Sequence, residues 1–325
     1  MARNVALLGL GIENLALARY LLRRGERVTV CDRRSPGELG ERLAELRDSG
    51  VDFQLGPDYL RDLGRFAVLY RSPGLPLFDP ALEEARAAGV EIASAIRLFL
   101  KICPVPLIGV TGSKGKGTTA SLIFHALQQD RQEKGGRVWL GGNIGVAPFS
   151  FLDEIGPEDL VVLELSSFQL EDVERSPAVA VVTNIAPEHL AASDPHNPNY
   201  HRSMDDYIAA KANILAHQGP HDTAVLNAEN EACAALAGRS RGRVLWFGWR
   251  EAREGCYIAD RGQGRWIHLR LNGADIPLCP TGAVQLRGEH NLQNVCAAAA
   301  AAAAAGAAPD AIHDAITAFR GLEHR

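Results

Sequence analysis

A short apolar run, Val105-Pro106-Leu107-Ile108-Gly109-Val110, passes directly into Thr111-Gly112-Ser113-Lys114-Gly115-Lys116-Gly117-Thr118, and a helical pattern follows over residues 118–129. Few folds are open to a chain that must go from a buried strand into a helix through glycines and cations. Loop N–H groups and the positive end of the helix dipole converge there on one point, which makes a phosphate site. Gly112, Ser113, Lys114, Gly115 and Gly117 would wrap the phosphates, and Lys116 would neutralise the outer ones. The general G-x-x-x-x-G-K-[ST] pattern is not met. Val110 stands where its first glycine belongs, and Gly117 stands where a Mg²⁺-binding hydroxyl belongs. Thr118 or Thr119 must then supply that oxygen.

Strand and helix patterns alternate on both sides of this loop. Strands are expected over 4–8, 27–31, 66–70 and 90–93, with helices over 15–24 and 80–88. After the loop, strands are expected over 159–165, 178–184 and 223–227. This alternation specifies an α/β chain: a Rossmann-like parallel-sheet domain over residues 1–100, then a P-loop-type central α/β domain over 101–321. Gly-punctuated segments over 243–286 predict a small antiparallel sheet within the second domain. Nine consecutive alanines over 297–305 predict a tightly packed helix over 291–308, and a last helix is expected over 310–320. A length of 325 residues accommodates two or three such domains.

Charge and composition exclude other classes. A net charge of −5 and a pI near 6.1 argue against a nucleic-acid partner. No run of eighteen uncharged apolar residues is present, so no membrane span is expected. The N-terminal segment lacks a leader pattern, and a cytoplasmic location is expected. The six cysteines have no C-x-x-C spacing and read as buried filler. Only five of the 34 basic residues are lysines, namely Lys101, Lys114, Lys116, Lys134 and Lys211, so a lysine can mark chemistry that arginine cannot do.

Other candidates stand at strand exits. Gly9-x-Gly11-x-x-Asn14 after the first strand, with Asp32 ending the second, approximates a dinucleotide fingerprint whose third glycine is missing. This turn fits a nucleotide of some kind, NAD, or a purely structural βα turn. Glu164 ends an apolar strand beside the phosphate loop, where a carboxylate is a natural ligand for Mg²⁺. His189 also follows a strand, while Lys211 by itself reads as one helical lysine.

Taken together, these residues resemble the Mur ligase family over effectively the whole chain. The resemblance is carried by Gly9-Leu10-Gly11, Ser72-Pro73-Gly74, Thr111 to Thr118, and Gly141-Gly142-Asn143-Ile144-Gly145. It continues through Leu163-Glu164-Leu165-Ser166-Ser167-Phe168-Gln169-Leu170, Asn184 to His189, Ala210-Lys211, Gly288 to Asn294 and Gly321-Leu322-Glu323-His324-Arg325. The Glu-Leu-Ser-Ser-Phe-Gln-Leu segment points to the D-glutamate-adding branch. The resemblance implies a monomeric, ATP-dependent ligase of peptidoglycan synthesis that joins D-glutamate to UDP-N-acetylmuramoyl-L-alanine through an acyl phosphate.

Lys116, His189 and Lys211 would then be catalytic. Thr118, Glu164, His189 and a carbamylated Lys211 would hold Mg²⁺. Asn291 and Asn294 would meet the adenine side of ATP, and Arg325 its phosphates. Gly11, Ile12, Glu13, Asp32, Arg33, Ser72, Pro73, Gly74, Asn143 and Ser166 would contact the UDP-linked substrate, with Asp32 near the uracil. Several departures qualify this. The Lys116-Gly117-Thr118 order is closer to folylpolyglutamate synthases, which leaves a folate-like acceptor as an alternative. A catalytically silent nucleotide-binding module is another, and a dehydrogenase would leave Lys116, Glu164 and Lys211 unexplained. Ala191 replaces an expected aspartate, residues 191–199 read as an insertion, and Glu13-Asn14 replaces smaller residues. The family's third domain would begin at 322–325, so the chain is expected to be a truncated form, inactive alone.

Overall fold

The computed structural model describes residues 2–191, 199–260, 262 and 264–321. Arg325 and the expected start of a further domain at 322–325 therefore lie outside the described residues, as does most of the expected insertion at 191–199.

The first part alternates as β1 (Asn4–Leu8), α1 (Ile12–Arg23), β2 (Arg27–Asp32), α2 (Pro36–Leu39), α3 (Glu41–Arg47), β3 (Asp52–Leu55), β4 (Val68–Arg71), α4 (Pro80–Ala87) and β5 (Glu91–Ser94). Its five strands are all parallel, in the order β3-β2-β1-β4-β5. Val5 to Leu8 are fully buried, as expected for a central parallel strand covered on both faces. Helix α5 (Ala95–Ile102) leads out of this sheet, with the Ser94 hydroxyl accepting from the Arg97 N–H at its start.

The second part runs β6 (Leu107–Thr111), α6 (Lys116–Lys134), β7 (Val138–Gly142), β8 (Leu160–Glu164), α7 (Ser167–Leu170), β9 (Val179–Val182), α8 (Met204–Ala216), β10 (Thr223–Asn227) and α9 (Glu231–Ala234). It continues with β11 (Arg243–Gly248), β12 (Gly255–Asp260), β13 (Arg265–Leu271), β14 (Ala274–Pro280), α10 (Glu289–Ala304) and α11 (Pro309–Ala318). Nine strands form one sheet in the order β14-β13-β12-β11-β10-β9-β6-β8-β7. The antiparallel strands expected over 243–286 are β12 to β14, and they continue this sheet edge to edge. Strand β11 opens that stretch but pairs parallel with β10 and β12.

The alanine run forms most of α10, and Cys296 to Ala302 are buried. Methyl side chains let α10 lie closely against α6, which places its first turns beside the phosphate loop. Both sheets reverse their strand order at one central strand, β1 in the first and β6 in the second. Ligands of open parallel sheets bind at the carboxyl ends of strands at such reversals. The two glycine-rich turns follow these two strands.

Candidate functional site

The loop between β6 and α6 is held from below by the end of β9. The Thr183 hydroxyl donates to the Lys114 carbonyl at 2.7 Å, and Asn184 both accepts from the Lys114 N–H at 2.9 Å and donates back to its carbonyl at 2.8 Å. The Ser113 hydroxyl lies 2.8 Å from the Tyr207 hydroxyl and donates to the Ala186 carbonyl, so it supports the loop from within. Gly115 adopts φ +84°, and a Cβ there would fall 2.2 Å from the Asn294 Oδ1. That contact brings Asn294 of α10 onto the loop, and Asn294 in turn donates to Asn291 Oδ1 at 2.9 Å. The Lys116 ammonium curls over the loop to the Ser113 carbonyl at 3.0 Å. Thr118 is half-buried in the first turn of α6, beside Gly117.

Glu164 ends β8 beside this loop, 2% exposed, and its Oε2 is buried without a hydrogen-bond partner. The Asn143 amide N–H donates to the Glu164 carbonyl at 2.9 Å, and its side chain reaches Glu164 Oε1 at 3.4 Å. Gly142 makes this approach possible: at φ +95°, a Cβ would lie 2.2 Å from the Glu164 carbonyl oxygen. Lys211 is 1% exposed, and its ammonium donates to the Gly112 carbonyl at 2.8 Å and lies over the Tyr207 ring at 4.6 Å. Burial, and then the neighbouring Lys116 charge, lower its pKa to about 7. By spacing alone Lys211 reads as an ordinary helical lysine, singled out only by the family resemblance, and the fold makes it a buried amine at this loop.

His189 has φ +57°, a half-exposed ring 3.9 Å from Glu188 and 5.2 Å from the Phe168 ring. Among the described residues, no group of three His, Cys, Asp or Glu side chains could hold a metal ion. A hard divalent ion that shares one or two protein oxygens with phosphates and water needs no such group. The orphaned Glu164 oxygen at the end of β8 fits Mg²⁺ of that kind.

In the first sheet, Gly9, Gly11, Asp32, Arg33, Ser72, Pro73 and Gly74 line a cavity of about 560 Å³ at the order reversal. Asp32 is already engaged: it accepts from the Leu10 N–H at 2.6 Å and pairs with Arg34 at 2.7 Å. Arg34, Arg42 and Tyr59 also line this cavity; the sequence offered no signal for them beyond the closeness of Arg34 to Asp32. Ile12 and Glu13 are not among the lining residues. Ile12 is exposed, while Glu13 accepts a hydrogen bond from the Gln169 side chain of the second part. Burial first of all raises the Glu13 carboxyl to about 7. Gln169 closes a capping box with Ser166, so Ser166 serves as the N-cap of α7.

Two glycine-rich turns, each following the strand at which its sheet reverses order, define a two-part α/β protein. The Mur ligase MurD-like N-terminal domain matches residues 3–94, and the Mur ligase middle domain matches residues 110–302. The chain is 42% identical to the UDP-N-acetylmuramoylalanine--D-glutamate ligase of Symbiobacterium thermophilum, over all of this chain and 69% of that protein. It is 37% identical to the ligase of the same name from Clostridium kluyveri, over 99% of this chain and 66% of that one. The chain thus spans about two thirds of the length of these relatives. The solved UDP-N-acetylmuramate:L-alanyl-gamma-D-glutamyl-meso-diaminopimelate ligase from Neisseria meningitides superposes with a TM-score of 0.64, at 19% identity, over 99% of this chain and all of that one, a likeness of fold. The chain belongs to the Mur ligase family. No helix among the described residues is long and apolar enough to cross a membrane.

Proposed function

We propose that the chain binds ATP at the β6–α6 loop and UDP-N-acetylmuramoyl-L-alanine in the first cavity, as the nucleotide-binding part of a D-glutamate-adding ligase. One observation carries this reading. The segment from Glu164 to Gln169 begins beside the phosphate loop and ends on Glu13 in the first turn of α1, the helix that follows the first glycine turn, so one short segment links the two regions. Residues 1–100 would take the uridine nucleotide and residues 101–321 the ATP.

In the reaction, a carboxylate oxygen of the sugar-nucleotide attacks the γ-phosphorus of ATP, ADP leaves, and an acyl phosphate forms. The amine of D-glutamate then attacks the acyl carbon, phosphate leaves, and the amine gives up its proton. Lys116 and the loop N–H groups steady the transferring phosphoryl charge, and the two cavities align the reactants. Mg²⁺ bound by Glu164 and Thr118 would neutralise phosphate charge as transfer proceeds. Lys211, with a pKa drawn to about 7, offers the neutral amine that carbon dioxide needs to form a carbamate. His189 borders the substrate.

Calorimetry with Mg-ATP and with the UDP-sugar tests the binding half: both should bind, and a folate-like acceptor should not. Mass spectrometry in bicarbonate should find one added carbon dioxide on Lys211, and a short carboxylic acid should partly restore Lys211→Ala. The 325 residues alone are expected to bind without turnover. Failure of both nucleotides to bind would overturn this reading.

A further inference from the structure

Arg71, the last residue of β4, carries a fully buried guanidinium. Its Nη1 donates to the Leu75 carbonyl at 2.7 Å, and its Nη2 donates to the Phe168 carbonyl at 2.9 Å and pairs with Glu171 at 2.9 Å. One side chain therefore holds the Ser72-Pro73-Gly74-Leu75 wall of the first cavity with one nitrogen and the α7 segment of the second part with the other. The Phe168 ring in turn packs on His189 at 5.2 Å and stacks on His201 at 4.7 Å.

A second arm follows the same route. The Asn199 side chain donates to the Pro73 carbonyl at 2.6 Å, and two residues later the His201 N–H donates to the His189 carbonyl at 2.8 Å. The His201 ring is fixed by the Ser167 hydroxyl at 2.8 Å. Both arms start on the wall of the first cavity and end on His189, whose backbone is left-handed. A buried guanidinium costs desolvation that an apolar side chain would avoid, and Arg71 offsets it with the two carbonyls and the carboxylate that it joins across the two parts.

We propose that Arg71, with Asn199 as its second arm, is a positioning residue: it ties the Ser72–Leu75 wall to His189, so that a uridine nucleotide settling that wall also fixes the histidine. This rests on the reading above that the first cavity takes such a nucleotide. Lysine at position 71 would keep the positive charge facing Glu171, Glu13 and Asp172, but a point charge cannot reach the Leu75 and Phe168 carbonyls together.

The half-exposed His189 ring supplies the readout, its acylation by diethyl pyrocarbonate followed by peptide mass spectrometry in the full 325-residue chain. UDP alone is the probe, and its affinity is measured separately by calorimetry. In the wild type, saturating UDP should slow His189 acylation about fivefold, the low end of site-to-site coupling. Arg71→Lys and Asn199→Ala, each held at a UDP concentration that calorimetry shows to be saturating for that variant, should lose that protection. Protection that persists in Arg71→Lys, or a wild-type rate that UDP leaves unchanged while binding, would overturn the proposal and leave the cavity reading intact. If UDP does not bind the wild type at all, the cavity reading fails and the coupling falls with it.

Discussion

Replacing Gly115 by alanine tests how the phosphate loop and α10 are fitted together. At φ +84° an L side chain pays roughly 1–2 kcal/mol in backbone strain. The new methyl would also lie 2.2 Å from Asn294 Oδ1, 2.8 Å from its Cγ and 2.9 Å from its Nδ2, so the carboxamide must swing away. Swinging breaks its 2.9 Å bond to Asn291, worth about 1 kcal/mol net. The two effects sum to about 2–3 kcal/mol of lost stability, read as a lower urea midpoint, and a displaced Asn294 should cost ATP about tenfold in affinity. The double variant with Asn294→Ala separates the terms. It removes the overlap but not the strain, so Gly115→Ala made in that background should cost only the roughly 1–2 kcal/mol of strain. A Gly115→Ala chain that unfolds within about 0.5 kcal/mol of the wild type would refute the argument, as would an equal cost in both backgrounds.

Other outcomes follow from single groups. The Glu13 carboxyl, raised to about 7 mainly by burial, holds a proton in the folded chain that the unfolded chain has lost, so stability falls as pH rises from about 4.5 to 7. Glu13→Gln should therefore gain about 1–3 kcal/mol over the wild type near pH 8 and almost nothing near pH 4; an equal gain at both values in urea titrations would count against the assignment. Lys116→Ala should weaken Mg-ATP binding at least about tenfold by calorimetry, the loss of one charge-assisted phosphate contact. Glu164→Gln should raise the Mg²⁺ concentration needed for half-maximal ATP binding by about tenfold without unfolding the chain, and an unchanged Mg²⁺ requirement would remove Glu164 from the metal's ligands.

What the sequence reveals and hides follows from the range of each interaction. The β6–loop–α6 unit is readable because strand, glycines and helix adjoin in the chain. So are the β1 turn and the α10 alanine helix. Strand β7 is not, since Val138-Trp139-Leu140-Gly141-Gly142 ends in two glycines and is only partly buried. Strand β3 is a four-residue edge whose alternation is too short to register. Helix α1 starts at Ile12, ahead of the expected 15, because Gly11 is its N-cap and makes no side-chain signal. Contacts between the two parts are hidden altogether. Arg71 meets Phe168 across 97 positions and Glu13 meets Gln169 across 156, and no local pattern relates such pairs. Asp32 reads as a ligand residue, but its carboxylate is already engaged by Leu10 and Arg34, a fact set by β1–β2 pairing and the Arg34 rotamer.

The scarcity of lysine gains a physical meaning once Lys116 and Lys211 are seen together. Both donate to carbonyls of one loop, Ser113 and Gly112, one from α6 and the other from α8. Lys116 is half-buried at the start of α6, where a cation can meet an incoming anion, and an arginine could supply that charge if not the same reach. Lys211 lies inside the protein, where burial and the Lys116 charge both oppose a second cation and bring its pKa to about 7. A guanidinium stays charged under those conditions, so at position 211 it would add an unrelieved charge behind the loop. Lysine alone can give up its proton there, keep its hydrogen bond to Gly112, and remain available for chemistry at nitrogen. The same residue type thus stands in two opposite electrostatic settings around one loop, and burial separates them.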